Sequence, residues 1–295
     1  MRKKFLLLLA LLFLLAGVIF ILPAVRDHAP EQTKESATEE TESTTETESE
    51  TPTETETESE TETEETTEEE TEGPGDPVDR EKVETHLIIA SDTHYMSPSM
   101  TDYGAAFDSL VNSNDGKVIR YQPQLWQAFK SEVLAANPDA LILSGDLSLN
   151  GEKANHLEFA EKLREIEEAG VPVYVIPGNH DINKPDAGEY FGDQRTDVES
   201  VTSEEFREIY ADFGYNEAKS GAPDSLSYLV ELNDTTWLMM LDTTVCEPEN
   251  EVYGEIKEET LEWMEECMKA AYAEGITVIP VGHHNLQRLS RVYVE

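Results

Sequence analysis

Four short runs carry side chains able to bind metal: Asp92-Thr93-His94, Gly145-Asp146, Gly178-Asn179-His180-Asp181 and Gly282-His283-His284. Each comes after a short apolar stretch that reads as a β-strand, so four strand ends deliver carboxylate, amide and imidazole groups to one edge of a sheet. Asp92 and His94 flank Thr93, and in an extended strand end such a pair points the same way and can share one ion. Gly145 permits a sharp turn and a close approach of backbone, which places the Asp146 carboxylate where it can bridge two ions. Asn179 offers a neutral amide oxygen, His180 a titratable imidazole and His283 a further nitrogen. The set suggests two divalent metals, and mixed oxygen and nitrogen ligation suits Mn, Fe or Zn better than Ca or Mg. Paired metals activate water and neutralise phosphoryl charge, so hydrolysis of phosphate esters is the chemistry to expect. A lone Asp at a strand end is usually a cap or turn residue; the inference rests on the whole set.

Short β-rich runs predict strands over 86–91, 140–144, 171–176, 227–232, 236–241 and 276–281. Between them, 124–136 spaces Leu125, Phe129, Val133 and Ala136 along one helical face. Likewise 153–169 carries Phe159, Leu163 and Ile166 and closes at Gly170, and 258–273 carries Leu261, Met264, Met268 and Ala271. Strands alternating with helices predict a layered α/β fold. The tight Asn233-Asp234 turn predicts an antiparallel hairpin, hence a mixed sheet. The stretches 95–120 and 182–203 show no periodicity and read as long loops after two of the ligand-bearing strand ends, where α/β folds place specificity. Tyr95, Tyr103, Tyr190 and Phe191 lie there as candidate substrate contacts, although packing under a loop explains each more simply.

The formal charge of −42 is concentrated: residues 31–72 hold nineteen glutamates against Lys34 alone. That stretch cannot bury enough apolar surface to offset its ordering entropy, so 25–80 reads as a disordered, extended Thr/Glu-rich linker. The remainder is also acidic, which disfavours nucleic acid as a partner. Residues 1–24 combine Arg2, Lys3 and Lys4 with an apolar run over 5–22. This is a signal peptide or an N-terminal membrane anchor, and either puts the folded part, 81–295, outside the cytoplasm, secreted or held at the cell surface. Cys246 and Cys267 could pair in an exported protein, but two semi-buried thiols is the simpler reading.

In order, spacing and strand context the four metal-binding runs resemble the calcineurin-like metallophosphoesterase superfamily, over residues 86–284. The resemblance implies an α/β/β/α sandwich with mixed sheets and a dinuclear site at the C-terminal ends of the strands. On that pattern Asp92 and His94 hold the first metal, Asp146 bridges, and Asn179 and His283 hold the second. His180 then sits beside the scissile phosphate and donates to the leaving oxygen, with Asp181 orienting its ring, while a metal-bridging water attacks phosphorus in line. Asp-Leu-Ser-x-Asn-Gly-Glu after Gly145 looks more like the phosphodiesterase branch than the protein-phosphatase branch, whose Asp-Arg-Gly is absent. The family closes its site with a later Gly-His-x-His; here the sequence reaches Glu295 without one, so the domain is expected to lack its C-terminal part.

The expected function is therefore an exported, surface-tethered phosphoesterase acting on a small phosphoester, a phosphodiester by preference. The rival is a non-catalytic surface module that binds a ligand or a cell-wall polymer. His284 has three readings: a substrate contact, a support for the ligands, or an exchange of roles with His283. His156, near the start of an apolar helix face, reads as a packed, hydrogen-bonded histidine.

Overall fold

The computed structural model describes residues 78–113 and 116–285, all within one unit spanning Glu72–Glu295. The expected leader over 1–24 and nearly all of the acidic linker lie outside the described residues.

Strands β1 (Leu87–Ala90), β2 (Ala140–Ser144) and β3 (Val173–Ile176) form a parallel sheet in the order β1-β2-β3. Every residue of central β2 is buried, as a strand covered on both faces demands, which is why it reads as a continuous apolar run. Two helices cover the outer face: α2 (Gln122–Ala136) buries Trp126 and Val133, and α3 (Lys153–Glu167) buries Phe159, Leu163 and Ile166. Helix α2 stops at Asn137, whose left-handed φ of 45° lets its N–H bond the Val133 carbonyl.

The second sheet runs β6 (Ser220–Gly221), β7 (Tyr228–Asn233), β8 (Thr236–Leu241), β9 (Thr277–Gly282), antiparallel except for the parallel pair β8–β9. Strand alternation sorts β8 between two cores. Leu238 and Met240 join the large core cluster that also holds Val230, Leu141, Ile142 and Val175. Trp237, Met239 and Leu241 point the other way, onto Trp263, Cys267 and Ala271 of α5 (Glu258–Glu274). The layers are thus helix, sheet, sheet, helix, as the resemblance implies. Both cysteines are free thiols: Cys246 packs against the large core cluster and Cys267 is a buried residue of α5.

The two stretches expected to be irregular are partly ordered. Residues 95–120 contain α1 (Ala105–Ser113). Residues 182–203 contain an antiparallel hairpin, β4 (Gly188–Phe191) with β5 (Gln194–Asp197), and α4 (Ser203–Ile209) begins at their end with a capping box between Thr202 and Glu205. Met96, Met100, Phe107, Ile119, Leu149 and Tyr190 pack these pieces into a third core cluster. Its members come from separate segments, so none of them shows a period in sequence. Gly192-Asp193, with Gly192 at φ 60°, is the legible hairpin signal.

Candidate metal centre

Backbone pairing does not stop where the strands do. Asp92 N–H donates to Gly145 O (3.1 Å), His94 N–H to Asp146 O (2.9 Å) and Tyr95 N–H to Leu147 O (2.8 Å), so the segments after β1 and β2 remain zipped together. Asp92, His94 and Asp146 all sit at left-handed φ, 56°, 41° and 52°. Side chains rarely occupy that region, and such strain collects at functional sites. Asp92 and His94 therefore do not converge by strand alternation as their spacing suggests; tight turns past the end of β1 bring them together. Glycine is required at two neighbouring points. A Cβ on Gly145 would lie 2.8 Å from Gly178 N and from His283 Nδ1, and one on Gly178 would collide with the Asp146 amide and carboxylate.

These turns gather the sequence-predicted ligands around Asp146, which is 3 % exposed. Its Oδ2 lies 3.5 Å from His94 Nε2, and its Oδ1 lies 3.4 Å from His283 Nε2. Asp92 Oδ1 is 3.8 Å from His94 Nε2, and Asn179 Oδ1 is 3.3 Å from His283 Nε2. Ligand atoms of Asp92, His94 and Asp146 all fall within 4.8 Å of one another. Two ligand atoms on one ion, each about 2.1 Å from it, are separated by roughly 3.0–3.4 Å. The spacings around Asp146 are close to that, and longer than good hydrogen bonds, so the residues fit a pair of divalent ions with one carboxylate oxygen turned toward each. His283 Nδ1 donates to Ser144 O (2.9 Å), a carbonyl that can only accept, which leaves the Nε2 lone pair facing Asp146 and Asn179. His284 is drawn away, its Nδ1 against Thr243 Oγ1 (2.7 Å) and its Nε2 against Val252 O (3.2 Å), so of the two histidines His283 faces the site. The neighbouring His94 imidazole, with the Ser91 hydroxyl, holds the Asp92 carboxyl down at about 2. Burial, reinforced by the charge of Asp181, pushes Asp146 up.

His180 borders the same cavity, about 520 Å³ in volume, with Asp92, His94, Asp146 and Asn179. Its ring stands edge-on to His94 at 4.8 Å. Nδ1 is fixed by Leu149 O (3.0 Å) and Asn150 Oδ1 (2.8 Å), so Nε2 is the nitrogen turned to the cavity. Burial first, then the charges of Lys117 and His94, pull its pKa down to about 4. Asp181 does not orient this ring. Its fully buried carboxylate accepts from the N–H groups of Leu147 (3.0 Å), Ser148 (2.8 Å) and Gly178 (2.8 Å) and from Ser148 Oγ (3.0 Å). It clamps the loop after β2 to the loop after β3. His156, also fully buried, bonds Asp181 O and Tyr210 OH, both at 2.9 Å, in keeping with a packed, hydrogen-bonded role.

A family model described as calcineurin-like phosphoesterase matches residues 85–294. The chain belongs to the calcineurin-like phosphoesterase family. Its members are metal-dependent hydrolases of phosphoester bonds, and divalent metals are the cofactor that this family membership and the Asp92, His94, Asp146 cluster support. Among solved structures, a dimetal phosphatase from Danio rerio is similar with a TM-score of 0.44 and 12 % identity, covering 68 % of this chain and 69 % of that one. No curated protein matches the chain.

Three residues of this phosphoesterase escape a reading of the sequence. Asn150, inside the Asp-Leu-Ser-x-Asn-Gly-Glu run, holds the His180 ring. Asn250 donates through Nδ2 to Asn179 O (3.1 Å) and Ile182 O (2.9 Å), fixing the loop after β3 from a distant part of the chain. Lys117 approaches His180 Nε2 to 3.5 Å. Only Asn150 carries a signal, its place in the motif; the other two arrive from segments with no pattern. Of the tyrosines, Tyr95 is buried and bonds Glu158 Oε1 (2.6 Å), Tyr190 is buried and lines the cavity, and Tyr103 is exposed.

Proposed function

We propose that this chain hydrolyses small phosphodiesters at a dinuclear centre held by Asp92, His94, Asp146, Asn179 and His283, and that it does so outside the cytoplasm, tethered or secreted through residues 1–24. The observation that carries the reading is Asp146: one nearly buried carboxylate set between two imidazole nitrogens at 3.5 and 3.4 Å, one oxygen to each. The bound metals supply an activated water and neutralise phosphoryl charge. The chain's own part is positional. His283 keeps its Nε2 lone pair inward through the Ser144 bond, Asn179 adds a neutral oxygen, and His180 aims Nε2 at the leaving oxygen because Leu149 and Asn150 hold its other nitrogen. The Asp-Leu-Ser-x-Asn-Gly-Glu run supports the diester preference. Export rests on the leader sequence; among the described residues no helix is long and apolar enough to cross a membrane, and the apolar run 5–22 lies outside them.

The test is metal analysis with turnover of bis(p-nitrophenyl) phosphate. Asp146→Asn is expected to lose both ions and all activity. His180→Ala is expected to keep its metal and lose about 10²–10⁴-fold in kcat, the usual reach of a positioned acid–base group. Wild-type turnover rates in H180A would remove His180 from the chemistry. Bound metal without turnover of any ester would favour the ligand-binding module instead.

A further inference from the structure

The cavity bordered by the metal ligands is also lined by a cation, Lys117, that the proposed mechanism does not use. Lys117 lies between α1 and α2, half-buried, with Nζ 3.5 Å from His180 Nε2. His180 Nδ1 must carry its hydrogen toward the Leu149 carbonyl whatever the charge on the ring, so the side of the imidazole that meets Lys117 is also the side open to the cavity. That ring stands edge-on to His94 at 4.8 Å, which puts the ammonium close to the first half of the metal site. The chain just after Lys117 is anchored. Ile119, two residues on, is 3 % exposed in the third core cluster, and Tyr121 N–H bonds Val118 O at 3.1 Å.

Resting on the phosphoesterase reading, we infer that Lys117 is a specificity-determining residue that binds a non-bridging phosphoryl oxygen of the substrate beside His180. A phosphate held against the metal ligands keeps oxygens turned away from them, and the Lys117 ammonium lining the same cavity adds a charge-assisted hydrogen bond to one of these. The competing account makes Lys117 a pin for its own loop, acting on stability and not on phosphate.

The two accounts separate in full-length K117M and K117R proteins loaded with Mn²⁺. Calorimetric titration with inorganic phosphate reads binding without turnover, and bis(p-nitrophenyl) phosphate reads KM and kcat. K117M is expected to weaken phosphate binding and raise KM by about tenfold or more, the loss of one hydrogen bond to a charged group, with metal content and Tm unchanged. K117R, which keeps the charge, is expected to recover most of the affinity. Phosphate affinity and KM in K117M within about twofold of wild type would overturn the inference while leaving the phosphoesterase reading intact. So would a loss of phosphate affinity explained by lost metal or a lowered Tm. Wild-type protein that binds no phosphate and turns over no ester would overturn both.

Discussion

Asp181 shows how a titratable residue beside a reactive histidine can serve the fold. Four donors saturate its carboxylate in a fully buried setting, and removing such an anion's charge would leave those donors facing an amide. Its proximity to His180 in sequence suggests a dyad; the direction of its side chain decides otherwise. Glu167 is the opposite case, a carboxyl disfavoured as an anion. Burial, opposed by the Val173 N–H bond and aided by the charges of Glu217 and Asp212, raises it to about 7. A carboxyl raised in the folded state contributes stability below its unfolded value near 4.5 and loses it as pH climbs through 7. Glu167→Gln is therefore expected to match wild type near pH 4.5 and to exceed it at pH 8 by about 1 kcal/mol, after allowance for partial exposure. Urea unfolding of the two proteins across that range checks the sign.

Among the elements, strands β1, β2, β3 and β9 matter less as hydrogen-bonded ladders than as rails that end together. Their apolar interiors are legible because each is short, β-rich and bounded by polar residues, glycine or proline, and the observed bounds fall within two residues of those expected. The turns beyond the strand ends are less legible. The ligands depend on three left-handed residues and on Gly145 and Gly178 passing at contact distance, which no local pattern announces. Gly178→Ala is expected to push Asp146 off its position at a cost of about 1–3 kcal/mol. Circular dichroism should stay native while bound metal falls; full metal occupancy in G178A would show that the close approach is dispensable. The hairpin β4–β5 and helix α1 are hidden in the sequence for a related reason. Their apolar contacts, such as Phe107 with Tyr190 and Ile119, are made across the chain, so their segments look like loops when read alone.

Across the whole molecule, the site occupies one pole and the entering chain the other. Arg80 donates to Glu274 O (2.6 Å) and Asp234 O (3.1 Å), Lys82 to Gly275 O and Thr277 Oγ1 (both 3.0 Å), and Val83 N–H to Thr235 Oγ1 (3.1 Å). These partners lie at the starts of β8 and β9, while His283 comes just after the end of β9. Arg80→Ala should lower stability by about 1 kcal/mol through two lost hydrogen bonds, with KM and metal content unchanged. A changed KM would mean that the two poles are coupled.

The sequence by itself determined the donor types, their order at successive strand ends and the alternation that stacks two sheets between helices, because side-chain chemistry and hydrophobic period are local properties. Only the tertiary structure decided that Asp146 is shared between two imidazoles, that His283 and not His284 faces it, that Asp181 clamps loops while Asn150 holds the His180 ring, and that Lys117 joins the wall. Those are distances between residues up to 139 positions apart, and they are set by how the layers pack rather than by any neighbour along the chain.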